Sequence, residues 1–196
     1  MASRWPADPS HIARAAERLR AGNVIAFPTD TLYGVGARAA DPAAVARLYQ
    51  VKRRPPNQPM VLLVRDRDQV ERLAVVSLAA ADLMARFWPG PLTLVLPARV
   101  PTDGATVAVR APNHDVALAL LTSLGEPMAS SSANPAGQSP PVDADQVIAS
   151  LGDELDLVLD GGPCQIGQPS TILDLTGPAP RILRQGAIPA AELIRG

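Results

Sequence analysis

The chain contains a single lysine, Lys52, in the run Lys52-Arg53-Arg54, where its positive charge is densest. Lysine and arginine total 18, so the remaining 18 − 1 = 17 of these residues are arginines. A lysine ammonium is compact and strongly hydrated, whereas a guanidinium is a planar fork. One lysine kept among so many arginines indicates close contact with an anion or a reacting group, although a solvated cation at a helix end would also explain it.

Three polar loops lie next to apolar segments, and ligands of open α/β sheets bind near the carboxyl ends of strands. Loop one (residues 28–36) offers two threonine hydroxyls, a carboxylate and two glycines. Loop two (residues 52–59) is basic and stiffened by prolines, which suits a phosphate or carboxylate clamp. Loop three (residues 130–141) is rich in hydroxyls that can bind phosphates or a sugar. An ordinary turn, a helix-end cation cluster and a flexible surface loop are the alternative interpretations.

Further polar residues lie at the ends of predicted strands. Thr106 and Arg110 share one strand face, Ser170 opens a later strand, and Arg184 closes the last one. The sequence shows neither a Ser/His/acid triad nor paired catalytic carboxylates. A site made of cations and hydroxyls binds anions and stabilises developing negative charge, so the substrates themselves would supply the nucleophile.

Other common ligand sites do not fit the sequence. The glycines of residues 34–39 match a dinucleotide fingerprint, but the next helix is predicted to begin later, at Asp41, and cations stand where the acidic residue is expected. The lysine also lacks the glycines of a P-loop. Cys164 is the only cysteine, which excludes an intrachain disulfide, and with His11 and His114 it leaves too few ligands for a Cys/His zinc site.

The bulk composition is that of a globular protein. Hydrophobic residues make up 47% of the 196 residues and aromatic residues only 3%, so the core must consist of alanine, valine, leucine and isoleucine. The length predicts one domain over residues 1–196, with a core at about 10–186. The net charge of −1 means that affinity for a polyanion must come from a local basic patch. No signal peptide or membrane span is evident, and a cytoplasmic location is expected.

The hydrophobic pattern predicts alternating helices and strands. The first helix is capped by Asp8 or Ser10 and stops at Gly22, and further helices are expected at 42–52, 67–74, 78–88, 114–123 and 143–151. Strands are expected at 24–27, 60–64, 92–96, 106–110, 127–130, 155–159, 171–175 and 181–183, with a turn at 101–104. This alternation predicts an α/β fold with a mixed sheet.

Taken together and in order, the polar segments resemble the YrdC family, the threonylcarbamoyl-AMP synthases, over nearly the whole chain. The family's Pro-Thr-acidic-Thr-x-Tyr-Gly-x-Gly and Lys-x-Arg patterns match loops one and two, and its Ser-x-Asn pattern matches loop three. Its remaining patterns are Pro-Gly-Pro-x-Thr, Ser-Thr and Arg-x-Gly, which match residues 89–93, 170–171 and 184–186. Each pattern is weak alone, but the ordered set is specific.

The resemblance implies a twisted open α/β sheet with a basic concave face. It also implies an enzyme that joins L-threonine, bicarbonate and ATP into threonylcarbamoyl-AMP and releases pyrophosphate. The product would pass to a tRNA-modifying transferase complex that acts on the adenosine beside the anticodon. Mg²⁺ is expected on the phosphates of ATP, without a cage of protein ligands.

The resemblance also assigns site residues. The implied threonine contacts are Thr31, Arg110 and Ser170. The implied ATP contacts are Arg54, Thr106, Ser130, Ser132 and Arg184. Lys52 and Asn134 complete a catalytic tetrad with Arg54 and Ser132. We expect Lys52→Ala to impair synthesis far more than folding, because a solvated helix-end cation contributes little stability.

Two positions depart from the family pattern, and other functions stay open. Gln58 stands where some members have asparagine near the nucleotide, and Leu63 stands where some have histidine near threonine. One alternative is a YciO-like paralogue or a double-stranded RNA-binding module of the same fold, which would use the basic face without catalysis. Another is a carbamoyl-transfer module of the kind found in hydrogenase maturation proteins.

Overall fold

The computed structural model describes residues 2–56, 58–99 and 106–193. Within these ranges the chain forms one ten-stranded sheet with seven helices. The strands are β1 (Ser3–Pro6), β2 (Ile25–Phe27), β3 (Gly34–Arg38), β4 (Val61–Leu63), β5 (Leu92–Pro97), β6 (Thr106–Arg110), β7 (Met128–Ser132), β8 (Leu157–Asp160), β9 (Thr171–Asp174) and β10 (Arg181–Arg184). The helices are α1 (Pro9–Arg20), α2 (Pro42–Val51), α3 (Arg67–Leu73), α4 (Leu78–Phe87), α5 (Asp115–Leu124), α6 (Ala144–Leu151) and α7 (Ala190–Leu193).

The sheet is mixed and open, as the sequence predicts. Its strand order is β1-β8-β2-β3-β7-β4-β6-β5-β9-β10, so β1 and β10 form its two edges within the described residues. Neighbouring strands run parallel in four of these pairs and antiparallel in the other five. The central antiparallel strands β3 and β7 bring loop one beside loop three.

Helices cover both faces of the sheet, and side chains alternate between the faces along each strand. On β2, Ala26 packs in one cluster with α2 and α6, whereas Ile25 and Phe27 pack with α1 and α5 on the opposite face. Leu62 links the first cluster to that of α3 and α4. Helices α2, α3, α4 and α6 therefore share one face of the sheet.

The face that carries α1 and α5 is only partly covered. Leu92, Leu94 and Leu96 on β5 pack toward α4, so Thr93 and Val95 between them point to the other face. There they line an open cleft together with Ala108 of β6. The sheet thus supplies both a core face and the floor of a candidate site.

Most predicted elements are confirmed. The structure identifies Asp8 as the cap of α1, since its carboxylate accepts hydrogen bonds from the Ser10 and His11 backbone N–H groups. Helix α2 ends at Val51, and Lys52 is its C-cap. The predicted turn at 101–104 and residue 57 of loop two lie outside the described residues. None of the helices in the described ranges is long and apolar enough to cross a bilayer.

Three short elements were not predicted. Strand β3 begins inside loop one. It was not predicted because its sequence GVGAR contains two glycines, which are poor strand formers. Strand β1 contains arginine and proline and pairs only with β8 at the sheet edge. Helix α7 has four residues, too few for a hydrophobic period to show.

Candidate active site

Nine of the ten predicted site residues converge in one cleft of about 680 Å³ on the open face of the sheet. The predicted residues that line it are Thr31, Lys52, Arg54, Arg110, Ser130, Ser132, Asn134, Ser170 and Arg184. Thr106 is exposed at the start of β6 and lies outside this lining. Among the described residues, the lining contains four cations and no carboxylate. An anion is therefore the ligand that this cleft favours.

Lys52 is buried at the C-terminus of α2, with 3% of its surface exposed. Its ammonium donates hydrogen bonds to the carbonyl oxygens of Ser132 and Asn134 in loop three. The Lys52 carbonyl in turn accepts a 3.0 Å hydrogen bond from the Ala136 N–H group. Burial, and secondly the charge of Arg54, lower the pKa of the Lys52 ammonium to about 8.

These contacts correct one expectation from the sequence. Lys52 is not a solvated helix-end cation, so removing its side chain would leave two carbonyl oxygens without their donor. An unsatisfied buried polar group costs about 1–3 kcal/mol. Lys52→Ala would therefore weaken the fold as well as any catalysis, and the expectation of little effect on folding was based on a wrong premise.

The two arginines that follow Lys52 point in different directions. Arg53 has a left-handed backbone with φ of 48°, and its guanidinium pairs with Glu154 at 2.9 Å, outside the cleft. Arg54 turns back into the cleft, where its Nη1 donates to the Ser131 hydroxyl at 3.3 Å. Its Nη2 donates to the Pro59 carbonyl at 2.9 Å. Only one of these two adjacent arginines is thus placed to bind a ligand.

Strand β7 and loop three form a wall of the cleft beside Arg54. The buried Ser130 hydroxyl donates to the Val35 carbonyl at 3.0 Å, which ties β7 to β3. The Asn134 side-chain amide donates to the carbonyls of Pro135 and Gln138 at 2.9 and 2.8 Å. Its Oδ1 is buried and accepts no hydrogen bond in the described part of the structure. This oxygen is therefore a buried acceptor without a donor among the described residues.

Arg110 of β6 also lines the cleft, where it is buried and held by three acceptors. Its guanidinium donates to Asp30 Oδ1 at 2.5 Å, to the Thr31 hydroxyl at 2.8 Å and to the Gly90 carbonyl at 3.0 Å. Burial lowers the pKa of Arg110, and the Asp30 charge opposes this shift. Since arginine has five N–H groups, Arg110 keeps donors for a ligand while its position is fixed.

Ser170 lies beside Arg110, at the start of β9. Its hydroxyl exchanges a 2.8 Å hydrogen bond with Thr93 of β5, and Arg184 Nη2 donates to the same hydroxyl at 3.1 Å. Arg184 also donates to the Ser170 carbonyl at 2.8 Å. Burial, then the charges of Arg110 and Arg54, lower the pKa of Arg184. The cations of the cleft are thus close enough to repel one another, which an anionic ligand would relieve.

Comparison with known proteins identifies the family. The Sua5/YciO/YrdC family model, described as telomere recombination, matches residues 17–186. The chain belongs to the Sua5/YciO/YrdC family. The resemblance inferred from the sequence motifs is thereby confirmed.

Relatives and solved structures agree with this family assignment. A Pyrococcus abyssi protein named threonylcarbamoyl-AMP synthase is 42% identical over 186 residues, which cover 91% of this chain and 55% of that protein. The crystal structure of Pyrococcus abyssi Sua5 complexed with L-threonine superposes with a TM-score of 0.93 at 39% identity, covering all of this chain and 60% of that one. Escherichia coli YciO superposes with a TM-score of 0.86 at 30% identity, covering 95% of this chain and 96% of YciO. The chain therefore spans just over half the length of these Pyrococcus abyssi relatives.

Some residues of the Sua5/YciO/YrdC site had no assigned role in the sequence analysis. Asp30 pairs with Arg110, and its Oδ2 is a further buried oxygen without a partner in the described residues. Thr93 positions Ser170, and Ser131 contacts Arg54. Asp30 and Thr93 stand inside motifs of the family pattern, so the motifs could have indicated them. Ser131 carries no such signal.

The two departures from the Sua5/YciO/YrdC pattern both line the cleft. Leu63 is buried and lies beside Arg110 in the β4–β6 register. Gln58 is exposed, and its carbonyl accepts hydrogen bonds from Arg54 and from the Tyr49 hydroxyl. The described residues contain no group of three or more His, Cys, Asp or Glu side chains suited to a metal ion.

Proposed function

We propose that the chain synthesises threonylcarbamoyl-AMP and pyrophosphate from L-threonine, bicarbonate and ATP. The observation that carries this proposal is the cleft itself, whose described lining combines four cations with hydroxyl groups and contains no carboxylate. All three substrates carry anionic groups, so such a cleft favours them together. The relatives named threonylcarbamoyl-AMP synthase support this choice among anionic ligands.

Under this proposal, one end of the cleft binds threonine. Arg110 binds the amino acid's carboxylate, because its remaining N–H groups suit a planar anion. The Thr31 hydroxyl accepts a hydrogen bond from Arg110 and the Ser170 hydroxyl accepts one from Arg184. Each is thereby fixed in orientation before threonine arrives. The solved Sua5 complex with L-threonine supports an amino-acid site in this fold.

The other end of the cleft binds the triphosphate of ATP. Lys52 and Arg54 neutralise phosphate charge there, with Arg184 closing the site from β10. Ser130 and Ser132 offer hydroxyl groups, and Asn134 holds the backbone of loop three in place through its side-chain amide. Thr106, outside the cleft lining in this structure, would reach the nucleotide only from the cleft rim.

The chemistry then requires no protein nucleophile. The threonine amine attacks the carbon of bicarbonate or carbon dioxide and forms a carbamate, with loss of water or a proton respectively. A carbamate oxygen attacks the α-phosphorus of ATP, the bond to the β-phosphate oxygen breaks, and pyrophosphate leaves. The enzyme positions the reactants, neutralises their charges and excludes water.

Mg²⁺ would accompany ATP as part of the substrate. The described cleft lining contains no carboxylate, so these residues do not form a dedicated magnesium site. Magnesium is commonly held through substrate phosphates, and it would help to neutralise the departing pyrophosphate. The product would then pass to a tRNA-modifying transferase in the cytoplasm.

Pyrophosphate release tests this function directly. The purified chain is incubated with ATP, bicarbonate and labelled threonine, and release should depend on threonine. Arg54→Ala should lower the rate about a hundredfold, because it removes a cation that faces developing charge. Arg53→Ala is the matched control and should leave the rate unchanged, since Arg53 pairs with Glu154 outside the cleft. No release from folded wild-type protein, or equal losses in both variants, would refute the proposal.

A non-catalytic module is the second candidate, favoured by the similarity to Escherichia coli YciO over nearly both whole chains. In that case the basic cleft would bind RNA or another anion without turnover. Steeply salt-dependent RNA binding without pyrophosphate release would select this function.

A further inference from the structure

A segment of the chain lies across loop one, and we name it the strap (residues 161–169). Its Ile166 and Gly167 N–H groups each donate a 3.0 Å hydrogen bond to loop one, to the carbonyls of Asp30 and Thr31 respectively. At its end the strap leads directly into Ser170. The strap therefore connects two of the residues proposed to bind threonine, Thr31 and Ser170.

The hydroxyl of Tyr33 holds the beginning of the strap. Tyr33 is fully buried, and its hydroxyl donates to the Gly162 carbonyl at 2.9 Å. The same hydroxyl accepts a 3.3 Å hydrogen bond from the Gly161 N–H group. Asp160 accepts from the Gly162 N–H group at 3.1 Å and completes this turn. The Tyr33 hydroxyl and the Asp160 carboxylate thus fix together the direction in which the strap leaves β8.

The backbone of Tyr33 is fixed independently by loop three. Its N–H group donates to the Pro141 carbonyl at 3.0 Å, and its carbonyl accepts from the Ala133 N–H group at 2.8 Å. Tyr33 is therefore held by the wall of the nucleotide end and reaches across to the strap. Losing its hydroxyl would loosen the beginning of the strap without removing this backbone anchor.

We propose that Tyr33 is a positioning residue for threonine, which acts through the strap. Its hydroxyl holds residues 161–169 against loop one, and this arrangement sets Thr31 and Ser170 at the threonine end. Tyr33 forms no bond in the reaction. This inference rests on the proposed function, because it concerns the substrate end that the proposal assigns to threonine.

Tyrosine-to-phenylalanine variants test the inference. Tyr33→Phe keeps the buried ring and removes only the hydroxyl. The threonine KM should rise about fivefold, which corresponds to one ordinary hydrogen bond, while kcat and the ATP KM change less than twofold. The control is Tyr49→Phe, which removes the hydroxyl that donates to the Gln58 carbonyl at 3.0 Å and should leave the threonine KM unchanged.

A pair of glycine variants loosens the strap without altering any tyrosine. Gly162 and Gly125 both have φ of +81°, and an added Cβ would meet no atom within 4 Å at either position. Alanine is strained by this backbone conformation. Gly162→Ala, in the strap, should raise the threonine KM in the same way as Tyr33→Phe. Gly125→Ala, at the C-cap of α5, carries the same strain elsewhere and should not.

Hydrogen exchange and threonine affinity distinguish the outcomes. Backbone amides of residues 161–169 should exchange faster in Tyr33→Phe and Gly162→Ala than in the two controls. An unchanged threonine KM, or equal losses for threonine and ATP, would overturn the positioning role. Calorimetric threonine affinity gives a readout without catalysis. If wild-type protein binds threonine but releases no pyrophosphate, the proposed reaction is refuted, and the threonine affinities of the variants still test the role of Tyr33. If wild-type protein does not bind threonine, both the proposed reaction and the role of Tyr33 are refuted.

Discussion

At the scale of single residues, Lys52 shows why one lysine persists among 17 arginines. Its ammonium is a compact donor with three N–H groups, two of which bind the carbonyls of loop three. The third is left for a ligand. A planar guanidinium, with donors spread over a fork, cannot place its charge on the same point. The lysine therefore both holds loop three and presents a charge to the cleft.

Lys52 also predicts how ATP affinity depends on pH. Its pKa of about 8 means that the ammonium loses its proton as the pH rises through this value. The ATP Kd should then rise, by up to about tenfold one pH unit above the pKa, as the binding cation is lost. Isothermal calorimetry from about pH 7 to about pH 9 measures the ATP Kd directly. Threonine is left out, so the titration of its amine does not contribute.

The same pKa shift has the opposite effect on stability: raising the pH weakens ATP binding but increases the contribution of Lys52 to the free energy of unfolding. The folded pKa lies below the unfolded value of 10.5, so the unfolded chain binds more protons between about 8 and 10.5. The contribution of Lys52 to the free energy of unfolding therefore rises with pH in this window.

Lys52→Met is the control for the ATP measurement. Its side chain cannot titrate, so it should bind ATP more weakly and with an affinity that does not depend on pH between about 7 and about 9. A flat wild-type profile would show that the charge of Lys52 does not contribute to ATP binding.

The site residues were predictable from the sequence to the extent that polar loops follow buried strands. Strand ends gather at one sheet edge, and the ordered motifs predicted which loops meet. The hydrogen-bond partners were not predictable, because they depend on loop conformation. The contact of Lys52 with loop three joins residues about 80 positions apart, and no local pattern encodes it.

At the scale of elements, the approach of β10 to the start of β9 determines where Arg184 lies. A Cβ added at Gly186 would lie 2.3 Å from the Pro169 carbonyl oxygen and 2.5 Å from the Ser170 carbonyl carbon. These are backbone atoms, which cannot rotate away. Only glycine allows this closeness, and the closeness lets Arg184 bond the Ser170 carbonyl and hydroxyl.

Gly186→Ala should therefore damage the site through β10. The strand must shift, Arg184 should lose its contacts with Ser170, and the KM values for both threonine and ATP should rise. Gly177→Ala is the matched control in the turn between β9 and β10, because its added Cβ would lie 3.8 Å from the nearest atom. Steady-state kinetics give the threonine and ATP KM values of both variants, and denaturant unfolding curves check that both are folded. Equal kinetics for Gly186→Ala and wild type would show that β10 does not position Arg184.

The elements themselves were largely predictable, and the exceptions have physical causes. The longer helices have marked caps, such as Asp41 and Asp143, followed by apolar residues at helical spacing. Strand β3 was not predicted because its glycine-rich sequence has little strand propensity. Its backbone pairing with β2 and β7 stabilises it instead. Tertiary pairing, which a local pattern does not contain, overrides propensity there.

At the scale of the whole molecule, positive charge is concentrated rather than abundant. The net charge is −1, and many arginines outside the cleft pair with acidic residues, as Arg47 does with Asp156 and Arg38 with Glu126. In the described structure, Lys52, Arg54 and Arg184 form no ion pair with a carboxylate. A recessed cluster of unpaired cations focuses the field on a small anion within the cleft.

This charge distribution separates the synthase from the RNA-binding alternative. A double-stranded RNA-binding surface contacts about 16 base pairs, and that length extends well beyond the cleft, over a surface where arginines such as Arg38 and Arg47 are paired with carboxylates. We therefore expect duplex RNA to bind only in the non-specific range, with a Kd above about 10⁻⁶ M at physiological salt, and Arg54→Ala to leave it unchanged. Fluorescence anisotropy over a salt series, repeated with ATP as competitor, provides the measurement. Tight RNA binding that ATP displaces and Arg54→Ala weakens would support the cleft as the RNA site, because one shared site explains both effects.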